Sequence, residues 1–479
     1  MSFVLNKSVN PLKVFIERKN HVTGRWDPFY YRPELVELEN QVAKVTSHRL
    51  RDFVRGMAGG ATPATKDAET HYTDGEDGVP FIRVQNLSTS GKLVLDDCKY
   101  ITRSTHDGLL KRSQLSGGEL LVKITGVGRM AVASVVPEGF EGNINQHMVA
   151  IRTKDIATSE TLAAWLNLDT AERLASRRST GGTRPALDYP ALLSIPIVFD
   201  KRIPQLMMAA INRHQGQIKK AKEFLESIDD ILLDELGIPQ KPESPNKLES
   251  RMFRRSFSNI TGDRFDPNFH LPRFEELLTV LRGTSCATIT ELVHLSSEQW
   301  DQQTLFDGTF PYLEIGAVDL AFGRPPEPAL IPISEAASRA KMIVRPGDLL
   351  ISLTRPTRRA ICFAPDDLEI AVASNGFSVI REFKIPNLDR RYLFHILRSQ
   401  VCVAQFDQRS SGGNYPAITE EQLSKLLIPV PSPATQKRIV RLLDLQYSKA
   451  ETLLAEAQTD LEKAKRDIEA LILGKEATE

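Results

Sequence analysis

The stretch Arg178-Ser179-Thr180-Gly181-Gly182-Thr183-Arg184-Pro185-Ala186-Leu187 is met a second time as Arg409-Ser410-Ser411-Gly412-Gly413-Asn414-Tyr415-Pro416-Ala417-Ile418. One copy of R-S-(S/T)-G-G-x-x-P-A-(I/L) is only a turn: the paired glycines permit positive φ and close backbone approach, and the proline stiffens the exit. Two copies report architecture. The repeat extends in both directions. Arg25-Trp26-Asp27-Pro28 answers to Arg264-Phe265-Asp266-Pro267, and Pro80–Val84 to Pro311–Ile315. Gly118-Glu119-Leu120-Leu121-Val122-Lys123-Ile124-Thr125 answers to Gly347-Asp348-Leu349-Leu350-Ile351-Ser352-Leu353-Thr354, and Gln146-His147 lies opposite Asn375-Gly376. The chain therefore reads as two copies of one unit of about 235 residues, each large enough to bury its own core.

Within each copy, short apolar runs bounded by turn residues have strand length and composition. Val79–Leu87, Leu120–Ile124, Met130–Val136 and Met148–Arg152 are the strands expected in the first copy, with a last short one at Ile195–Val198. Pro311–Ile315, Asp348–Leu353, Ala360–Phe363 and Phe377–Ile380 are those expected in the second. Helical spacing marks Pro33–Lys44, Ser159–Ala175 and Arg391–Phe406, whereas Gly56–Gly78 reads as a long loop.

After each copy the period changes. Met207, Ile211, His214, Ile218, Ala221, Leu225, Ile228 and Leu232 alternate steps of four and three. Leu443, Tyr447, Ala450, Leu454, Ala457, Leu461, Ala464, Ile468 and Leu471 do the same. These are heptad seams, with His214 as a polar seam residue that sets register. Helices over Pro204–Leu236 and Pro433–Leu473 would be about 50 and 60 Å long, and two such seams in one chain most simply pair with each other, antiparallel. The expected fold is α+β: two homologous strand-rich globular units, each followed by a long helix, the two helices pairing as an antiparallel coiled coil.

The totals narrow the function. Lysine plus arginine and aspartate plus glutamate both number 61, so no global basic field is present. The four cysteines are scattered, which fits a reducing compartment and neither a zinc ribbon nor a disulfide framework. With no long apolar run and no basic-apolar leader at the N-terminus, the reading is cytoplasmic, without membrane partners. Catalytic patterns are missing. Asp27-Pro28-Phe29-Tyr30 and Asp266-Pro267-Asn268-Phe269 lack the second proline of an adenine-methyltransferase element. Gly126-Val127-Gly128 lacks its third glycine, no phosphate loop occurs, and the histidines have no metal-ligand spacing.

Two strand-rich units, each ending in S-(S/T)-G-G-x-x-P-x-(I/L) and a seam helix, resemble the specificity subunit of type I restriction-modification enzymes. The G-(E/D)-L-L-(V/I)-x-(I/L)-T strand and the I-P-(I/V) element before each helix fit the same family, as does Gln436-Lys437-Arg438-Ile439 at the start of the second helix. The resemblance implies target recognition domains at 1–203 and 251–432, spacer helices at 204–237 and 433–474, a linker at 238–250 and a tail at 475–479. Each domain would read one half of a bipartite, asymmetric site in double-stranded DNA. The chain itself would be non-catalytic and bind no cofactor. Two copies of a methylation subunit and the restriction/translocase subunits would dock on it, carrying S-adenosylmethionine, ATP and Mg.

Base and phosphate contacts need polar and basic side chains on loops. In the first copy the candidates are Lys123, Arg129, Gln146, His147, Arg177, Arg178 and Arg184; in the second, Arg355, Arg358, Arg359, Asn375, Arg409, Asn414 and Tyr415. Gly181, Gly182, Pro185, Gly412, Gly413 and Pro416 form the loop framework. The spacer seam is represented by Ile211, His214, Ile218, Leu225, Leu232, Leu443, Leu454, Leu461 and Ile468. Residues shared by both copies suit the backbone or the loop, and those that differ suit sequence readout. Two other readings stay open at this level: a self-contained DNA methyltransferase or nuclease with fused recognition domains, and a coiled-coil scaffold that binds no DNA.

Overall fold

The computed structural model describes residues 16–17, 22, 25–64, 68–73, 78–239, 252–256, 260 and 264–474, so most of the expected linker and the tail lie outside the described residues. The chain divides into two compact units, Met1–Gln217 with Ala455–Glu479, and Ile218–Leu454. The division falls inside both long helices, Ile203–Leu236 and Pro433–Leu473. Each unit therefore holds the start of one long helix and the end of the other.

In the first unit, an antiparallel sheet runs in the order Gly56–Gly59, Met148–Arg152, Leu120–Lys123, Ala133–Val135. A second sheet runs Tyr72–Thr73, Lys99–Ile101, Val79–Ile82, Asn143–Ile144, and its last pairing is parallel. The second unit repeats the first pattern in full and the second in three strands, with its fourth strand added at the opposite edge. Its first sheet runs Val293–Leu295, Phe377–Phe383, Leu349–Ser352, Ile361–Phe363. Its second runs Ala329–Pro332, Thr309–Leu313, Ala371–Ser374, Ala340–Val344, and Thr309–Leu313 pairs in parallel with Ala371–Ser374.

The continuous apolar run of the repeated G-(E/D)-L-L element follows from its place between two layers. A strand sends alternate side chains to opposite faces. Leu120 and Val122 enter a core with Trp165 and Ile203 from the helical layer, while Leu121 enters another with Ile82 and Ile144 of the second sheet. Leu349 and Ile351 likewise pack with Tyr392 and Leu443, and Leu350 with Leu313 and Ala373. Both faces are buried, so no polar alternation is possible. The I-P element is fixed by a large aromatic residue in each unit: Trp165 Nε1 donates to the Pro196 carbonyl at 2.9 Å, and Tyr392 Oη to that of Pro429 at 2.7 Å.

The long helices pair antiparallel within each unit. In the first unit His214 Nδ1 lies 3.0 Å from the Ala457 carbonyl, and Ile203, Met207 and Ile211 share a core with Ile468 and Ile472. In the second unit Arg438 Nε donates to Glu235 at 2.6 Å, and Ile228 and Leu232 pack with Ile439 and Leu443. Leu225, Leu454 and Leu461 are half-buried, and Ile218 and Leu471 are exposed, with Ile472 turned inward beside Leu471.

Three local expectations differ from what is seen. Gly56–Gly59 is not loop but an edge strand beside Met148–Arg152. The glycines that suggested a loop serve close approach, since a Cβ on Gly60 would meet the Asn145 carbonyl oxygen at 1.9 Å. Ile195–Val198 forms only a single bridge, Arg49 to Pro196, whereas its counterpart Leu427–Pro429 is a strand against Cys286–Thr288. The helices expected at Ser159–Ala175 and Arg391–Phe406 are each two. They are Ile156–Leu166 with Asp169–Arg178, and Arg390–Arg398 with Gln400–Arg409. In the first unit the break is held by Asn167, whose side-chain amide exchanges two hydrogen bonds with the Ala133 backbone.

Candidate nucleic-acid interface

The second helix of each pair ends in the duplicated Gly-Gly loop. In both units the loop closes on itself through a reciprocal backbone pair, Thr180 with Ala186 and Ser411 with Ala417, each bond 2.8 Å. Gly181 (φ +95°) and Gly412 (φ +101°) occupy the positive-φ region, and Gly182 and Gly413 do not. Only the first glycine of each pair is demanded by the backbone.

The loop is then stitched to two other loops at one end of the first sheet. In the first unit Leu187 N–H donates to Ile124 (2.8 Å), Gly126 N–H to Pro185 (3.0 Å) and Ile124 N–H to His147 (2.9 Å). In the second unit Ile418 N–H donates to Leu353 (2.9 Å), Arg355 N–H to Pro416 (2.7 Å) and Leu353 N–H to Gly376 (2.7 Å). The same three carbonyl-to-amide links occur twice. They bring the turns after Leu120–Lys123 and before Met148–Arg152, with their second-unit equivalents, beside the Gly-Gly loop.

The side chains on this frame fall into two groups. Gln146 and Arg184 are exposed and His147 half-buried in the first unit, and Arg358, Asn375, Asn414 and Tyr415 are exposed in the second. Burial lowers the His147 pKa and the nearby Arg184 charge lowers it further, which favours a neutral imidazole able to donate and accept. Arg355 stacks its guanidinium 4.2 Å from the centre of the Tyr415 ring and donates to the Asn414 carbonyl at 3.1 Å. The backbone of Arg355 is left-handed, φ 48°. This cluster offers hydrogen-bond donors, acceptors and an aromatic face to one side, the chemistry that reads base edges and phosphates.

The other candidates hold the frame. Lys123 is buried, donates to the Val127 and Arg129 carbonyls at 2.7 and 3.0 Å, and has its pKa lowered by burial. Arg129 reaches Asp169 (2.5 Å) and the Asn167 carbonyl (2.6 Å), and Arg359 pairs with Asp229 at 2.8 Å. Arg177 and Arg178 are buried on Glu39. Burial pushes the Glu39 carboxyl up, but Arg178, Arg177 and Arg49 outweigh it and hold the pKa below its ordinary value. Breaking such a buried network costs about 3–5 kcal/mol, so substitution of Arg177 or Arg178 acts on folding before it acts on any ligand. Arg409 is half-buried and donates to Gln422 at 3.0 Å.

The repeated Arg-(Trp/Phe)-Asp-Pro element, not among the candidates, explains itself here. Arg25 donates to the Arg178 and Ser179 carbonyls at 2.7 and 3.1 Å, and Arg264 to those of Arg409 and Ser410 at 2.6 and 3.1 Å. Each arginine is held by the aspartate two residues on, at 2.8 and 2.7 Å. Each thus satisfies orphan carbonyls at a helix C-terminus with a favourable charge. Tyr30 and Phe269 supply the ring between the capping arginine and the arginine of the helix's last turn, with distances of 4.7 and 4.2 Å in the first unit and 5.3 and 5.8 Å in the second. Trp26 and Phe265 remain exposed among the described residues. No helix among the described residues is long and apolar enough to cross a membrane.

Residues 287–463 match the family model of the type I restriction modification DNA specificity domain. Over 116 residues the chain is 29% identical to the type I restriction enzyme HindI specificity subunit of Haemophilus influenzae; the match spans 23% of this chain and about a quarter of that protein's length, 24%. Among solved structures, the chain is similar to one from work on complex assembly and conformational transition of the type I R-M system, at TM-score 0.44 and 17% identity over 90% of this chain and 97% of that one. It is also similar to the HsdS subunit from Thermoanaerobacter tengcongensis, at TM-score 0.33 and 16% identity over 89% and 95% of the two chains. The type I restriction-modification S subunit from M. genitalium gives TM-score 0.36 and 11% identity over 91% and 96%. The specificity domain is thus matched at residues 287–463, and the motifs, the strand order of the first sheet and the loop stitching found in the second unit recur in the first.

Proposed function

We propose that this chain reads a bipartite DNA target, one half with each unit, for a type I restriction-modification complex. The observation that carries the reading is one loop frame built twice with different side chains. Identical stitching presents Gln146, His147 and Arg184 in one unit, and Arg355, Arg358, Asn375, Asn414 and Tyr415 in the other. A shared frame suits a shared duplex geometry, and different side chains suit different half-sites. Neutral total charge fits local readout, with most of the affinity supplied by other members of the complex. The two long helices would set the gap between half-sites and receive two methylation subunits and the restriction subunits. Methyl transfer from S-adenosylmethionine and Mg- and ATP-dependent translocation and cleavage would then belong to those partners, in the cytoplasm.

The test is an exchange of Gly60–Pro196 for the matching region of another family member, followed by sequencing of methylated sites in cells carrying the complete system. One half of the target should change and the other stay. A change in both halves, or methylation without a bipartite pattern, refutes the reading.

A further inference from the structure

The helix that carries each Gly-Gly loop is new at its N-terminus, because the chain breaks at Asn167 and at Ser399 before it begins. A fresh helix start leaves backbone N–H groups without partners. Neither start takes a side-chain cap from its own N-cap residue, Leu168 or Ser399. The missing acceptors come from the long helices. Glu469 Oε1 accepts from Thr170 N–H at 2.7 Å, and Asp229 Oδ1 accepts from Gln400 N–H at 2.8 Å.

The same two corners anchor the neighbouring loop. Asp229 uses its other oxygen, Oδ2, to hold Arg359, the last residue of the Arg355–Arg359 turn, at 2.8 Å. In the first unit an arginine of the corresponding turn, Arg129, reaches Asp169 and the Asn167 carbonyl, beside the amide that Glu469 caps. Burial pushes the Glu469 carboxyl above its ordinary range, with Asp169 adding to the rise and the Thr170 amide opposing it. At the far end of each capped helix, Arg25 or Arg264 closes the C-terminus. In each unit the Gly-Gly loop therefore hangs from a helix whose start is pinned by a long helix, and the turn beside it is tied to the same corner.

The carboxylates are crossed with respect to sequence. Asp229 lies on the long helix that follows the first unit's sheets, yet it pins the second unit's loops; Glu469 lies on the helix that follows the second unit's sheets, yet it pins the first unit's. We infer that Asp229 and Glu469 are positioning residues for DNA readout, Asp229 for the half-site read by the second unit and Glu469 for that read by the first. The inference rests on the proposed function for its consequence in DNA and on geometry alone for its consequence in the protein.

Two measurements separate these. Amide hydrogen exchange on the full chain needs no DNA. Asp229→Ala should speed exchange at Gln400, Ser411 and Ala417 roughly five- to thirtyfold, the loss expected for one helix cap, and leave Thr180 and Ala186 unchanged. Glu469→Ala should do the reverse. Asp229→Asn and Glu469→Gln, which keep an acceptor oxygen, should fall between wild type and alanine and stand in if an alanine variant does not fold. In cells with the complete system, Asp229→Ala should relax base preference only in the half-site that the Gly60–Pro196 exchange leaves unchanged, and Glu469→Ala only in the half that the exchange alters. Uncrossed or equal effects in exchange or in methylation overturn the inference. Crossed exchange in a system whose wild type shows no bipartite methylation would instead overturn the proposed function and leave the positioning intact.

Discussion

The two glycines of the repeated loop should respond oppositely to the same substitution. Gly181 stands at φ +95°, and a Cβ built on it meets the Arg184 carbonyl oxygen at 3.0 Å. That oxygen belongs to the backbone of the turn, so relief requires the Thr180–Ala186 pair to open. Forcing a non-glycine residue into such a region costs about 1–3 kcal/mol. Gly182 has open space around its Cβ position and no positive φ, so Gly182→Ala should be neutral or stabilising by about 0.4–1 kcal/mol, by narrowing the unfolded ensemble. The second unit offers an internal replicate, with Gly412 at φ +101° facing the Tyr415 carbonyl oxygen at 3.0 Å and Gly413 in open space. Amide exchange at Thr180, Ala186, Ser411 and Ala417 reads the local cost, and a loss of about 1–3 kcal/mol appears as roughly 5- to 150-fold faster exchange. Denaturant unfolding of the same variants reads any global cost. Equal damage from Gly181→Ala and Gly182→Ala, or silence of both, would show that the loop is not held by the backbone geometry described.

Two further outcomes follow from other parts of the chain. His395 is buried with Nε2 3.0 Å from Asp444, its ring stacked on Tyr447, and Nδ1 without a hydrogen-bond partner among the described residues. Burial lowers its pKa, the Arg391 and Arg398 charges add to that, and Asp444 opposes them. The unfolded chain then takes up this proton first, so stability contributed by neutral His395 is full above a pH of about 6.5 and is lost as pH falls toward the lower folded value. Glu298, held by Arg345 and Arg381 down to about 2 from an ordinary 4.5, gives a second, separate loss below that ordinary value. Unfolding midpoints between pH 7.5 and 5 should fall in wild type and flatten in His395→Gln; an unchanged slope would exclude the residue. If the long helices set the gap, a second copy of Ala221–Ser227 together with one of Ala457–Lys463 lengthens both by one heptad. That is about 10.5 Å, or about three base pairs of rise, with the seam kept. Sequencing of methylated sites should find the same half-sites further apart, with tolerance reduced by the rotation of the added duplex, and unchanged spacing at full activity would show that these helices do not set the distance.

How much of this was legible in the sequence depends on whether a feature is carried by repetition, by periodicity or by geometry. The two units, the buried central strands and the long helices were legible because duplication and heptad spacing are properties of the string itself. The Arg-x-Asp-Pro element was visible as a repeat but not as a cap, since its acceptors at Arg178, Ser179, Arg409 and Ser410 lie about 150 residues further on. Glu39, Asp229 and Glu469 were invisible. Asp229 and Glu469 do answer to each other, in Ile228-Asp229-Asp230-Ile231-Leu232-Leu233 and Ile468-Glu469-Ala470-Leu471-Ile472-Leu473, but an acidic residue on a polar helix reads as a solvated face.

The candidate site divides along the same line. Arginine and lysine near a glycine-rich loop look like a phosphate-binding surface in sequence, yet Lys123, Arg177 and Arg178 spend their donors on backbone carbonyls and on Glu39. Composition could not have separated them from Arg184, exposed on the adjoining loop, or from Arg358, exposed on the corresponding turn of the second unit. What separates them is position relative to the helix end: the arginines on its last turn fold back to close it, and residues past the first glycine point out. Where that glycine must stand at positive φ, the chain turns away from its own core. The exposed residues Arg184, Asn414 and Tyr415 all follow that turn, and all lie where the two copies differ. Divergence between copies on a backbone that both must keep is what independent reading of two half-sites requires, because changing one set of side chains then leaves the frame, and the other unit, untouched.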